Sequence, residues 1–153
     1  MGRRYRVLLV SSSGGVLLDL LALRPWWQGH DPVWVAVPAP DTEVALAGQR
    51  VHWRAELTTG TKLRVIPAAW RALRLLRAER PDVIVSAGTG VAVGFFLAAR
   101  LLRVPALWLE TFNMTGPPGA AARICARFAA AVLVQRPALL ETRRRAVLIG
   151  ELY

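Results

Sequence analysis

The sequence predicts an α/β fold, a single domain over residues 1–153 built on a parallel sheet covered on both faces. Three observations carry this. Short apolar runs alternate with stretches of helical spacing, the pattern of repeated strand–helix units. Most of the runs are continuous rather than alternating, as strands buried on both faces are. And 153 residues can bury a sound core without disulfides, which the single cysteine, Cys125, cannot supply internally.

The elements follow in order. Residues 5–11 (YRVLLVS) read as a buried strand, and 15–27 as a helix with Val16, Leu17, Leu20 and Leu23 on its apolar side. Residues 32–37 (PVWVAV) form a second strand, closed by the turn-rich PAPD. Asp41 suits the cap of a short helix ending near Leu46. Residues 51–54 are a short third strand, and 57–62 (LTTGTK) a loop. A helix spans 67–79 with Pro67 at its first position. Strand 83–86, helix 90–102 and strand 106–110 come next, then the loop 111–119. Helix 120–130, strand 132–135, a short helix 137–143 and a short strand 146–149 complete the chain.

Composition narrows the function. Hydrophobic residues make up 54%, yet no span reaches the roughly 18 uninterrupted apolar residues of a membrane helix. The nearest, 91–109, is broken by Arg100, Arg103 and Pro105. The apolar run behind the basic N-terminus is about five residues, short for a signal segment, so a reducing cytoplasm is expected. Net charge is +10, and Lys62 is the only lysine. That excess favours an anionic partner, although arginine and alanine richness also reflects base composition. Aromatic and basic residues do not interleave along a strand, so no nucleic-acid partner is expected.

In a parallel α/β sheet, ligands bind beyond the carboxyl ends of the strands. Ser11, Ser12, Ser13, Gly14 and Gly15 follow the first strand; Ser86, Gly88, Thr89 and Gly90 follow the fourth; Glu110 ends the fifth, with Asn113 and Thr115 beyond it. Glycines let backbone amides approach a phosphate, and the next helix adds its positive end. Tight strand–helix turns also need glycine for geometry alone. SSSGG is neither GxGxxG nor GxxxxGK[ST], and no acid closes the second strand, which disfavours a dinucleotide or a nucleoside triphosphate.

Glu110 closes an apolar strand, where a carboxylate is either used, as a general base or sugar ligand, or paired with loop groups. His30 and His52 lack the spacing of a metal pair, and neither a metal nor a cofactor is expected. Helix 67–79 carries Arg71, Arg74 and Arg77 on one face with Trp70 at its edge, a pattern that suits either an anionic membrane surface or a solvated face.

Together, SSSGG, GQRVHW (48–53), ERPDVIVSAGTGVAVGFF (79–96), WLETFN (108–113), TGPPGAAARICARFA (115–129), VLVQRP (132–137) and IGELY (149–153) resemble the Alg14/PssD family of glycosyltransferase subunits. The resemblance implies a Rossmann-like domain equivalent to the N-terminal half of a GT-B glycosyltransferase of the MurG type. It implies a two-chain enzyme in which this domain supplies the acceptor side and the membrane docking. An Alg13/PssE-like partner would supply the UDP-sugar site, and the acceptor would be a polyprenyl-diphosphate-linked saccharide in polysaccharide or oligosaccharide biosynthesis. Residues Ser12, Ser13, Gly14, Gly15, Ser86, Gly88, Thr89, Gly90 and Asn113 would hold the acceptor diphosphate, with Glu110 as catalytic group. Trp70, Arg71, Arg74 and Arg77 would face the inner surface of the plasma membrane. Gly150, Glu151, Leu152 and Tyr153 would meet the partner, or end the sheet as an edge strand. Two departures stand out: Val16 replaces the family's histidine after Gly-Gly, and Gly94 a common proline. The first leaves open a catalytically inactive scaffold that recruits the partner to the membrane.

Overall fold

In the computed structural model of the chain, residues 2–56, 63–88, 90–112, 114 and 116–152 are described. Seven strands form one sheet: β1 (Arg6–Val10), β2 (Asp31–Ala36), β3 (Val51–Trp53), β4 (Val83–Ser86), β5 (Ala106–Glu110), β6 (Ala131–Val134) and β7 (Ala146–Leu148). Their order is β3-β2-β1-β4-β5-β6-β7, and every pairing is parallel. The chain builds outward from β1 to β3, then returns to β4 beside β1 and builds the other way. The crevice where the order reverses therefore lies between the ends of β1 and β4.

Alternation along the strands sorts the core into two layers. Leu8, Val10, Val33, Val35, Ile84 and Trp108 face one layer, which α4 (Val65–Glu79), α5 (Gly90–Leu102) and α6 (Ala120–Phe128) cover. Val7, Leu9, Trp34, Val85 and Leu109 face the other, under α1 (Gly15–Ala22) and α2 (Arg24–Trp27). Trp34 and Trp108 are wholly buried, one per layer; truncating such a residue to alanine removes about 3–5 kcal/mol. At Gly94, an added Cβ would stand 3.2 Å from the Ala69 nitrogen and 3.3 Å from the Ala68 carbonyl. Glycine is what lets α5 lie against the backbone of α4.

The structure corrects three local expectations. The helix over 15–27 is two helices, parted at Leu23, because Pro25 has no N–H to continue the ladder; the Trp26 and Trp27 amides turn back to the Leu23 carbonyl. Helix α4 begins two residues before Pro67, still within the first turn, where no amide partner is required. Asp41 does not cap α3 (Pro40–Ala45) but lies inside it; Ala39 is the cap residue and Pro40 opens the helix. The loop 57–62 lies outside the described residues. No helix among the described residues is long and apolar enough to cross a membrane.

Candidate functional site

The sheet register brings the predicted turns to one edge. Val10 is level with Ser86, and Ser86 with Trp108. Ser11 and Ser86 are fully buried. The Ser11 amide donates to the Val35 carbonyl at 2.8 Å, and its hydroxyl to the Ser12 carbonyl at 2.8 Å. Ser86 Oγ stands 2.8 Å from the Val10 carbonyl and 2.9 Å from that of Gly88, and accepts the Gly88 N–H at 3.3 Å. Ser86 is thus a bolt between the two turns, with no surface left for a ligand. Ser12, 9% exposed, directs its hydroxyl to the Ser13 carbonyl at 3.3 Å.

Ser13, Gly14 and Gly15 are exposed. Gly14 adopts φ +71°, a left-handed conformation that glycine takes without the strain a side chain would bring. Gly14 has no side chain with which to cap α1, and among the described residues a Cβ at Gly15 would meet nothing within 4 Å. The first turn of α1 therefore opens onto free space with its helix-end amides forward. One anion is already close: Asp41 Oδ2 accepts the Gly14 N–H at 2.8 Å. Across the crevice, a Cβ on Gly88 would stand 2.9 Å from Val16 Cγ2. Val16 packs the first glycine turn directly onto the second. Gly90 opens α5; Thr89, Asn113 and Thr115 lie outside the described residues.

The far side of the edge is closed. Glu110, 6% exposed, turns both carboxylate oxygens to Arg143 Nε, at 3.1 and 3.0 Å. Arg143 thus pairs with the Glu110 carboxylate at the strand end, an ion pair that anchors the side chain whatever else it does. Thr111 donates its hydroxyl to Asp19 Oδ2 at 3.0 Å, both residues being buried. Gln135 accepts the Phe112 N–H at 2.9 Å and donates to the Gly150 carbonyl at 3.1 Å. Sequence reasoning did not single out Asp19, Gln135 or Arg143. Two left a visible signal: Asp19 is the one acid in an apolar helix, and Gln135 follows an apolar strand as Glu110 ends one.

Leu152 packs against the second core layer, as Ile149 and Leu133 do, Gly150 is tied by Gln135, and Glu151 is exposed. The described part of the tail is thus folded onto its own domain, and Tyr153 lies outside the described residues. On α4, Arg71, Arg74 and Arg77 are exposed, and so are Trp70 (61%) and Ile66 (80%). His52 and Arg50 both bond Glu79 Oε1, at 2.7 and 2.8 Å, and His30 accepts the Tyr5 N–H. Both histidines are structural. Among the described residues no cluster of His, Cys, Asp or Glu could hold a metal. Cys125 is buried, and burial pushes its thiol up to about 12, which suits packing and not chemistry.

No protein-family model matches the chain. Over 90 residues it is 39% identical to the UDP-N-acetylglucosamine--N-acetylmuramyl-(pentapeptide) pyrophosphoryl-undecaprenol N-acetylglucosamine transferase of Xylella fastidiosa (strain Temecula1), covering 59% of this chain and 24% of that protein. Against the protein of the same name from Nitrosospira multiformis, identity is 34% over 87 residues, 57% of this chain and 24% of the relative. The match therefore spans about a quarter of the length of these curated relatives. Among solved structures, Acinetobacter baumannii MurG superposes with a TM-score of 0.69 at 22% identity, over 87% of this chain and 42% of that one. S. aureus MnaA with UDP superposes with a TM-score of 0.74 at 12% identity, over 97% and 45%. The likeness is one of fold: a single α/β domain with an all-parallel sheet, matching less than half of each of these chains.

Proposed function

We propose that this domain is the acceptor side of a UDP-sugar-dependent glycosyltransferase that extends a polyprenyl-diphosphate-linked saccharide. The observation that carries the reading is the crevice at the strand-order reversal, where the uncapped start of α1, beside the open Gly15, faces the turn at Gly88. The 39% match to enzymes named for a pyrophosphoryl-undecaprenol substrate supports the acceptor class. In this reading Ser13, Gly14, Gly15, Gly88 and Gly90 cradle the diphosphate, joined by Thr89 and Asn113, while Ser12 and Ser86 shape the turns. The acceptor hydroxyl attacks the anomeric carbon of the donor sugar, the bond to UDP breaks, and the hydroxyl proton leaves to a base on another element.

The donor site belongs, in this proposal, to an Alg13/PssE-like partner chain, and the tail at Gly150, Glu151, Leu152 and Tyr153 lies at the junction. The motif resemblance is what supports a separate chain. The exposed side of α4, with Ile66 and Trp70 beside Arg71, Arg74 and Arg77, docks on an anionic membrane surface, peripherally, at the cytoplasmic face of the plasma membrane.

Sugar transfer from radiolabelled UDP-sugars to a lipid extract tests the proposal, with this chain alone and with a donor-half partner co-expressed. Product only with both chains is expected. Product from this chain alone overturns the two-chain reading. A second reading, an inactive recruiting scaffold, draws on Val16, which puts methyl groups and no titratable side chain between the two turns. Full activity of the partner alone on a soluble acceptor would favour it.

A further inference from the structure

The opposite edge of the sheet carries a second cleft, of about 680 Å³. It lies where α5 and α6 end and where the chain enters β7. Six arginines line it: Arg100 and Arg103 at the end of α5, Arg127 in the last turn of α6, and Arg143, Arg144 and Arg145 before β7. No aspartate or glutamate lines it. Arg143 is engaged by Glu110. The other five are exposed, and among the described residues none is ion-paired. Among the described residues the Arg145 side chain reaches the Ala129 carbonyl, at 3.4 Å.

Two ordinary explanations fall short. Arginines near helix C-termini offset the negative end of the helix dipole, and Arg100 and Arg127 do so here. Two such ends carry roughly −1 elementary charge between them, against five guanidinium groups. Compositional bias supplies arginines, but it does not withhold acids from one concave surface alone: Arg3, Arg6 and Arg50 each stand within 4.0 Å of a carboxylate. Among the described residues Arg71, Arg74 and Arg77 are not ion-paired either, but they project from one helix, whereas the five come from three separate segments to line one open cleft. Arg103 and Arg145 also hold left-handed backbone (φ 57° each), where glycine is the usual residue.

Like charges gathered without a counter-charge repel, so the cleft is electrostatically complete only with an anion in it. Guanidinium forks match the paired oxygens of phosphate, and several forks from different elements suit a multiply charged group. We infer that this cleft binds a phosphate-bearing anion of at least two negative charges, at a site separate from the glycine-turn crevice. The phosphate is borne either by a soluble molecule or by a lipid headgroup. The inference does not depend on the glycosyltransferase reading.

The test uses the full chain and two probes. Pyrophosphate is titrated at low salt while the arginine Nε–Hε resonances are followed by NMR. Co-sedimentation is measured with vesicles of phosphatidylcholine alone and with phosphatidic acid added. Each assay is repeated on Arg103→Gln/Arg144→Gln and on Arg100→Gln/Arg127→Gln, all four positions being exposed. Saturable pyrophosphate binding that weakens at least tenfold in either double variant, with an unchanged circular dichroism spectrum, supports a soluble ligand. Vesicle binding that needs phosphatidic acid and falls tenfold in either variant, without pyrophosphate binding, supports a headgroup. Pyrophosphate bound equally by wild type and both variants belongs to the glycine turns, and together with unchanged vesicle binding it overturns the inference. So does failure of the wild type to bind either probe.

Discussion

The carboxyl edge of the sheet has two halves that share one architecture and differ in how their polar groups are used. On the β5–β6–β7 side, Glu110 is held by Arg143, Thr111 by Asp19, and Gln135 bridges Phe112 and Gly150. On the β1–β4 side, the exposed surface is glycine backbone at the start of a helix, with one carboxylate, Asp41, resting on it. A buried polar side chain is expensive unless bonded. The first half meets that cost internally and becomes rigid wall. The second leaves its helix-end amides forward, and they are what an incoming anion can use. Polar residues at a strand end thus do not mark a binding site by themselves; an unsatisfied backbone beside open space is the better marker.

The sharpest way to break this contrast is Gly88→Val. The added Cβ alone would stand 2.9 Å from Val16 Cγ2, so the Val16 side chain, and with a full valine the turn that carries it, must shift. Overpacking of this kind costs about 1–3 kcal/mol, which leaves the domain folded. Displacement of a positioning group by about an ångström costs roughly 100-fold in rate. Transfer by the complex is expected to fall at least that far, with the circular dichroism spectrum retained. Adding Val16→Ala to Gly88→Ala should restore activity lost by Gly88→Ala alone. Full activity of a folded Gly88→Val complex removes the crevice as the acceptor site.

Glu110→Gln attacks the other half. It leaves Arg143 without its carboxylate; because the Arg143 side chain is 27% exposed, the cost is about 1–3 kcal/mol, below that of a fully buried pair. The melting temperature should fall by several degrees and the transfer rate by less than about tenfold. A loss of about 1,000-fold at unchanged stability would make Glu110 catalytic after all, and the closed half a working one.

The sheet was legible in the sequence because buried parallel strands announce themselves as short apolar runs, and the order reversal puts the two glycine turns side by side. The edge was legible only as a set of polar positions. Which of them are engaged depends on partners 33 residues away for Glu110, 92 for Thr111 and 23 for Phe112. No local pattern encodes such pairs. Asp41 shows the same limit, its partner lying 27 residues away. Its place beside Pro40 reads as a helix cap, yet a proline-opened helix lacks one amide to cap, and the carboxylate turns instead to Gly14.

That contact sharpens the comparison at the next smaller scale. If the β1–β4 half is an anion site, Asp41 competes for it. In the Arg103→Gln/Arg144→Gln background, which removes the arginine cleft, Asp41→Ala should tighten pyrophosphate binding about 3- to 10-fold by calorimetry, since a resident negative charge and an occupied donor are both removed. Stability should change by less than about 1 kcal/mol, as expected for an exposed hydrogen bond. Weaker binding would mean that Asp41 organises the turn and does not compete for it.

The smallest expected effects separate wall from site within a single turn pair. Ser86 and Ser13 are the same residue type on the same edge, one sealed and one exposed. Ser86→Ala removes the hydroxyl that bridges Val10 and Gly88, and should cost about 1 kcal/mol of stability. Because the turn keeps its backbone course, affinity for the acceptor should change by less than about twofold. Ser13→Ala removes an exposed hydroxyl that makes no bond among the described residues, so stability should hold within about 0.5 kcal/mol. If that hydroxyl meets the acceptor phosphate, KM for the lipid acceptor rises about 3- to 10-fold, the worth of one hydrogen bond to a charged group in a wet site. Urea melts and acceptor titrations on the two variants give four numbers that must cross. If both variants lose stability alone, the β1–β4 half is wall like its neighbour, and the acceptor lies elsewhere.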